Sequence, residues 1–321
     1  MPLHNASQHL PTVLSGLLLD SDWEIVLIDD GSSDESAQLA AKLLPGAKLL
    51  QNPQPMGPAR ARNQGVACSS ADIVVFVDSD VEACSPVLDQ IVKFLDDHPE
   101  YSAVFGAYDD QPAVGTPISR FRNLLHHYVH CASEGRVPSF WSGFGAIRRQ
   151  AFEAVEGFDS KRYRNPSVED IDLGARLFTA GFQIYLEPAF QVKHLKHWTL
   201  FDFIKTDVFN RARPWARMIL EGRAPKTPLN LGGRFRHPIL LLALGLITTL
   251  GWQGALLNQW VPAVVWTLYL SWNLPIYQFM NSRGVGPISV LLLALHHLCA
   301  VIGGSMAALD LLRERLSSRR P

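Results

Sequence analysis

The chain has 321 residues, of which 47% are hydrophobic and only 18% charged, against roughly 25% charged in ordinary soluble domains. A mini-protein is excluded, and the length allows one large domain or two modest ones. The formal net charge of -1 hides an asymmetry, because residues 1–210 hold 17 Lys and Arg against 27 Asp and Glu, while residues 211–321 hold 12 against 3; the basic residues flank uncharged runs, which suits a membrane surface and not a nucleic-acid groove.

The first ten residues contain His4, Asn5, Gln8 and His9 and no basic n-region, so no cleavable signal peptide is expected there. Trp23–Asp29 (WEIVLID) is a continuous apolar run ending in acid, the pattern of a buried parallel strand. It leads into IDDGSSDES, Ile28 to Ser36. Carboxylates at a strand end, here Asp29 and Asp30, can accept hydrogen bonds from a base or ribose while Gly31 lets the chain turn. The same DDGS is also ordinary turn-and-cap chemistry for the helix expected over Asp34–Leu44. A second helix is predicted over Pro58–Ala67.

A second apolar run, Ile73–Asp78 (IVVFVD), ends in VFVDSDVE. Asp78 and Asp80 in a D-x-D arrangement suit Mg2+ or Mn2+, hard ions that take a few oxygen ligands and leave positions for a diphosphate. A solvated strand end is the alternative. Helices are predicted over Pro86–Asp97 and Glu169–Ala180, the latter opened by Glu169, Asp170 and Asp172 within PSVEDIDLGARL. Acids there answer the helix macrodipole, and a neighbouring pair can equally hold one group as a general base. Strand followed by helix, repeated, predicts an α/β sheet whose ligand crevice lies beyond the carboxyl ends of the strands. His126 and His130 are four apart but lack the acidic partner of a zinc motif. The four cysteines form no C-x-x-C pair, which predicts neither a disulfide framework nor a zinc site and suits a reducing, cytosol-facing catalytic portion.

From Trp198 to Leu220, aromatic and aliphatic residues alternate with Lys205, Arg211, Arg213 and Arg217, predicting an interfacial amphipathic helix broken near Pro214. Pro238 to Ser282 is an uncharged run of 45 residues, room for two spans of roughly 20 residues each. Spans are expected near Ile239–Leu257, Val261–Met280 and Pro287–Leu309. Arg223, Lys226, Arg234, Arg236 and Arg283 put the front domain in the cytosol by the positive-inside rule. Three crossings would export Arg313, Arg315, Arg319 and Arg320, which the same rule disfavours; a third segment that re-enters or lies along the membrane removes the conflict.

Taken in order, IDDGSSDES, GPARARNQG, VFVDSDVE, SGFGAIRRQAFEAVEGFD and VEDIDLGARLFTAGF resemble the family 2 glycosyltransferases, inverting enzymes of the GT-A fold, over about residues 3–197. The resemblance implies an α/β, GT-A (Rossmann-like, mainly parallel sheet) catalytic domain over 1–197, to which hydropathy and charge add an amphipathic interface segment and basic linker over 198–236, an α-helical membrane region over 237–312 and a basic tail over 313–321. It further implies that Asp29 and Asp30 hold the nucleotide's base and ribose and that Arg62 and Asn63 lie near the nucleotide. Asp80 would be the direct metal ligand with Asp78 nearer the sugar nucleotide. Gly143 and Gly145 would line the sugar and acceptor pocket, followed by the basic pair Arg148 and Arg149. Asp170 would be the catalytic base beside Glu169, and His194 stands where some relatives place a histidine near the diphosphate. Asn210–Trp215 (NRARPW) occupies the place of an acceptor-side interface helix. Family members usually begin with a Val- and Ile-rich strand ending in P-x-Y-N; only MPLHN remains here, so five to ten further residues of that kind are expected ahead of Met1. Ser160 follows Gly157–Asp159 where Glu is common.

The function implied is a membrane-anchored inverting transferase that moves a sugar from a nucleotide sugar, a UDP-sugar being expected, to a hydroxyl of a lipid or lipid-linked glycan, with Mg2+ or Mn2+, at the inner cell membrane and without nucleic acid. A polyprenyl-phosphate sugar synthase and a non-catalytic membrane scaffold retaining the fold are the alternatives.

Overall fold

The structure is a computed structural model that describes residues 1–17, 23–224 and 233–317. Lys226, Arg319 and Arg320, counted above toward the charge bias, lie outside the described residues. The chain divides into two compact units: Met1–Val114 with Asn123–His197, and Gly115–Arg122 with Trp198–Pro321. The boundary at His197/Trp198 coincides with the end of the motif-bearing region, but the short stretch Gly115–Arg122 belongs to the second unit.

The first unit begins with β1 (Pro2–Leu3), α1 (Leu10–Gly16), β2 (Val26–Asp29), α2 (Ser36–Leu43), β3 (Lys48–Gln51) and α3 (Pro58–Ala67). β1, β2 and β3 form a parallel three-stranded sheet in that order. All four residues of β2 are buried, as its unbroken apolar run requires. There follow β4 (Ile73–Val77), β5 (Val81–Glu82), α4 (Ser85–Asp97), β6 (Ala103–Tyr108), α5 (Pro117–Cys131), β7 (Gly135–Arg136), β8 (Phe144–Arg148), α6 (Arg149–Ala154), α7 (Glu169–Thr179) and β9 (Ile184–His194). The second sheet has the order β4-β8-β6-β9-β5, with β7 also on β9. It is mixed: β8 runs antiparallel to both β4 and β6, while β6 and β9 are parallel. The expected mainly parallel sheet therefore holds for β1–β3 alone. No helical crossover brings β8 back in the direction of β4; it enters from the opposite end and lays its first residues beside β4's last, Val77 opposite Phe144.

β1, with two paired residues, and β4 stand at the edges of their two sheets. A cavity of about 330 Å³ lies there, lined by Met1, Ile25, Val26 and residues 73–77 among others. The Met1 ammonium donates to the Val26 carbonyl at 2.8 Å, and burial pushes its pKa from 8.0 to about 5. This cavity runs along the whole of β4 and meets the amino end of β2, and Arg62 also lines it.

The second unit contains α8 (Leu200–Lys205), a π-helical segment (Thr206–Ala212), α9 (Arg213–Leu220), α10 (Gly233–Gln253), α11 (Trp260–Trp272), α12 (Leu274–Ser282) and α13 (Ile288–Ser317). Pro214 does not break the amphipathic stretch. It sits where the π segment passes directly into α9, and the wider π turn before it accommodates the ring and the missing N–H. Of the three apolar segments, α10 and α13 are long and apolar enough to cross a membrane. The middle one is divided at Asn273, with Pro275 in the first turn of α12.

Candidate active site

β2 delivers Asp29 and Asp30 to its carboxyl end, both buried. Asp30 is only 4% exposed and its carboxylate accepts from the Met56 and Gly57 amides and from Asn52 Nδ2, at 2.8–3.0 Å. Those bonds pin residues 52–57 as a loop over the strand end. Gly57 has φ +91°, and a Cβ there would collide with the Arg164 carbonyl, so that turn admits glycine alone. Asp29 is less committed, accepting from the Ser32 amide at 3.2 Å. The two acids expected to share nucleotide contacts thus differ: Asp30 is spent on the loop, and Asp29 keeps free lone pairs.

α3 carries Arg62 and Asn63 inward. Arg62 is buried and binds two carboxylates at once, Asp78 Oδ1 at 2.6 Å and Glu169 Oε1 at 2.9 Å. Asn63 donates to the Phe158 carbonyl and accepts from the Phe158 amide, at 2.8 and 2.9 Å. Both of its amide atoms therefore hold the Gly157–Asp159 turn.

Asp78 and Asp80 follow β4 directly. Asp78 donates its amide to the Gly143 carbonyl at 3.1 Å, tying the strand end to the start of β8. Burial raises the pKa of the Asp78 carboxyl, against the pull of Arg62. Asp80 has a 26% exposed side chain, with His194 Nε2 standing 3.7 Å from Oδ2. Burial alone would raise its pKa, yet His194, Lys196 and His9 hold it at about 2, so Asp80 stays ionised. Gly143 and Gly145 line this end of β8, because a Cβ on Gly143 would meet the Trp141 ring at 2.5 Å and one on Gly145 the Trp141 carbonyl at 2.5 Å. Arg148 and Arg149 sit at the opposite end of that strand. They donate to the carbonyls of Tyr101, Leu95, Ala71 and Val66, and so lock loops away from the acids.

α7 opens with Glu169 and Asp170. Both oxygens of buried Glu169 are engaged, one by Arg62 and the other by the Ser167 amide at 2.8 Å. Asp170 is half-buried and meets no cation directly; it accepts from the Ile171 amide at 2.8 Å and the Ser142 amide at 3.3 Å. Burial and then the Glu169 charge push its pKa to about 7. Asp172 is tied to Tyr163 and Arg176. The polar chain Asp80, Asp78, Arg62, Glu169 and Asp170 therefore spans the strand ends from a low-pKa carboxylate to a high-pKa one.

Beside it lies a ring cluster that joins His126, His130 and His194 to Tyr108 and Trp141, two residues that no sequence pattern singled out. Tyr108 stacks on His194 at 4.3 Å between centroids and contacts His126 at 4.2 Å, while Trp141 stands 4.9 Å from Tyr108 and 4.5 Å from His126. His126 and His130 are 3.8 Å apart within this cluster. The spacing of those histidines marked a shared helix face, but their ring partners come from three other chain segments. Among the described residues no group of three or more His, Cys, Asp or Glu could cage a metal ion. The donor set at Asp80 and His194 instead fits a hard divalent ion held by few protein ligands and completed by phosphate oxygens and water.

Residues 1–156 match the family model described as glycosyl transferase family 2. The chain is 29% identical over 220 residues to the pre-mycofactocin glycosyltransferase of Mycobacterium tuberculosis, covering 64% of this chain and 44% of that protein. The chain thus spans less than half the length of that relative. It is 25% identical over 231 residues to the O-antigen chain rhamnosyltransferase of Salmonella typhimurium, covering 67% and 72% respectively. Among solved structures, the mannosyltransferase PcManGT of Pyrobaculum calidifontis, in complex with GDP-Man and Mn2+, superposes with a TM-score of 0.61 at 16% identity, over 94% of this chain and 85% of that one. Motif order, strand-end acids and these similarities agree: residues 1–156 match glycosyl transferase family 2, and the chain has the GT-A fold.

Proposed function

We propose that the protein transfers a sugar, with inversion, from a nucleotide sugar to a hydroxyl group of a lipid or lipid-linked glycan at a membrane surface, a UDP-sugar being the donor expected from its motifs. The observation that carries this reading is the division of labour between Glu169 and Asp170. Arg62 neutralises Glu169, while Asp170 has no direct cation and a pKa of about 7, suited to taking a proton near neutral pH. The acceptor oxygen bonds to the anomeric carbon, the bond from that carbon to the diphosphate breaks, and the acceptor proton passes to Asp170. Asp29 would meet the nucleoside, with Asp30 and Asn63 shaping the loops around it. Asp80, with His194 beside it, would hold Mg2+ or Mn2+, which supplies Lewis-acid stabilisation of the leaving diphosphate. Asp78, kept in place by Arg62 and the Gly143 carbonyl, would orient the sugar nucleotide. The ring faces of Trp141, Tyr108 and His126 supply an apolar wall of the kind on which sugar rings pack. That the PcManGT complex holds GDP-Man and Mn2+ on a similar fold is consistent with this assignment.

The membrane part of the proposal rests on the surface of the second unit. Among the described residues, the large hydrophobic side chains that stand exposed fall, all but Phe178, between Leu200 and Leu316, a concentration of the kind that marks a membrane or partner surface. Trp215 lies half-buried on α9 in that unit and would serve as an interfacial anchor.

The test separates binding from chemistry. Asp80→Ala should weaken cation-dependent donor binding and turnover together. Asp170→Asn should leave donor affinity within a few-fold while reducing transfer by roughly 10² to 10⁴, the usual contribution of a positioned general base. Calorimetry with candidate nucleotide sugars and a product assay on one preparation read both. Near-normal transfer by Asp170→Asn would remove Asp170 as the base.

A further inference from the structure

By length and composition α13 is the more apolar of the two helices able to cross a membrane. Its packing within the second unit points elsewhere. His296 Nδ1 meets Asp207 Oδ2 at 2.6 Å. A Cβ on Gly303 would stand 2.6 Å from the Ala212 side chain and 2.9 Å from the Val208 carbonyl, so the two backbones touch there. Further along, Arg213 pairs with Asp310 at 2.7 Å, and Arg217 grips both oxygens of Glu314 at 2.8 and 2.9 Å. The partners advance together along both chains. α13 therefore runs beside the π segment and α9, in the same direction, from His296 to Glu314.

That neighbouring stretch is charged throughout. Asp207 is buried against Arg122 at 2.6 Å, and Arg211, Arg213 and Arg217 follow. Burial would raise the Asp207 pKa, but Arg122 and His296 hold it well below the usual carboxylate range. A charged residue at the centre of a bilayer is costly even on the mildest scale. If α13 crossed, it would carry this charged strip into the hydrocarbon. α13 is also two-faced. Cys299, Gly303 and Ala307 are buried, on the same side as His296, Asp310 and Glu314, whereas Leu291, Ile302, Leu309, Leu312 and Leu316 are exposed on the opposite side. From Cys299 onward, one apolar stripe backed by one small-and-polar stripe is the pattern of a helix lying in an interface, not of a span wetted by lipid all round.

Resting on the membrane reading above, we propose that α13 does not cross the bilayer but lies along its surface, with Leu291, Ile302, Leu309, Leu312 and Leu316 dipped into the lipid and the π segment and α9 strapped to its other side. Crossing is left to the hairpin of α10 with α11 and α12. The end of α13 then stays on the same side as Arg234 and Arg283, and the basic residues that flank the apolar segments share one face of the membrane, as the positive-inside rule asks.

A membrane-impermeant maleimide applied to host cells expressing the full chain tests this. Asn258→Cys, in the hairpin turn, should label in intact cells. Ser317→Cys, at the end of α13, should label only after permeabilisation, like native Cys68 and Cys84 of the first unit. Labelling of Ser317→Cys in intact cells at the level of Asn258→Cys would overturn the proposal, because α13 would then cross. If Asn258→Cys stays unlabelled in intact cells and the protein fractionates as soluble, the membrane reading itself fails and takes the proposal with it. The pair Leu309→Lys and Ala308→Lys adds a second readout. A lysine on the lipid stripe should lower the membrane-bound fraction in a carbonate wash more than one beside it, and equal retention would count against the in-plane placement.

Discussion

Glu169 and Asp170 are chain neighbours with opposite electrical surroundings. The Asp170 pKa, raised to about 7 by burial and by Glu169, lies above its unfolded value, so the folded state binds more protons between roughly pH 4 and 7. The group therefore favours folding at low pH, and that contribution is lost as pH rises toward 7. Asp170→Asn should accordingly raise Tm at pH 8 and change it little at pH 4; thermal melts at the two pH values check this, and a Tm increase of the same size at both would refute the environment assigned to Asp170. In the active enzyme the same pKa predicts a transfer rate that falls below about pH 7, an arm that Asp170→Asn should abolish. Arg62 is the opposite case, a buried cation between Asp78 and Glu169. Removing one partner of a buried pair costs about 3–5 kcal/mol because the other charges stay behind. Arg62→Met should lower the urea midpoint by a corresponding amount, and an unchanged midpoint would mean that the Asp78 and Glu169 charges are solvated after all.

At the level of elements, the gap between β1 and β4 is the weak point of the first unit. The sheet edge of β4 lines an apolar cavity without ladder hydrogen bonds on that side, and the nearby Met1 ammonium is discharged by burial. Its depressed pKa means that stability is present near pH 8 and is lost as pH falls toward 5. Fusing a five-residue Val/Ile-rich segment ahead of Met1 should lengthen β1, fill the cavity and turn the ammonium into a peptide group. The expected gain is a Tm increase of roughly 5 °C or more, given that about 1 kcal/mol moves a domain of this size by 2–4 °C. A Gly/Ser segment of equal length should recover the pH term without the packing. Equal Tm for both fusions would show that the cavity is not a strand site.

For the whole molecule the charge asymmetry and the apolar surface of the second unit predict how it leaves a membrane. Raising salt from about 0.1 to 1 M shortens the screening length from roughly 10 to 3 Å. That weakens attraction between basic residues and anionic lipid but leaves burial of apolar helices untouched. The protein should stay with the membrane fraction in about 1 M salt and be extracted by detergent. Complete release by salt alone would reduce the apolar helices to peripheral contacts.

Local chemistry determined much of this in advance. Apolar runs ending in acid, glycine turns and caps act over a few residues, so the sequence alone indicated β2, β4, α3 and α7 closely and set the Asp78/Asp80 and Glu169/Asp170 pairs at strand and helix ends, while the separate roles of Asp80 and Asp170 rest on the family resemblance. The start of α4 and the end of α2 moved by one residue, as frayed ends do. What depends on partners far along the chain was decided only by the tertiary structure. Asp29 and Asp30 are indistinguishable as letters, and only the loop 52–57 that closes on Asp30 separates them. Glu169 and Asp170 likewise differ through Arg62, 107 and 108 positions away. The antiparallel entry of β8 and the ring cluster of Tyr108, His126, Trp141 and His194 leave no periodic trace, because each needs contacts between segments that carry no common pattern. The apolar length of α13 is plain in the sequence, but which of its faces is covered depends on Asp207, Arg213 and Arg217, since a helix is committed to lipid or to protein by what packs against it and not by its composition.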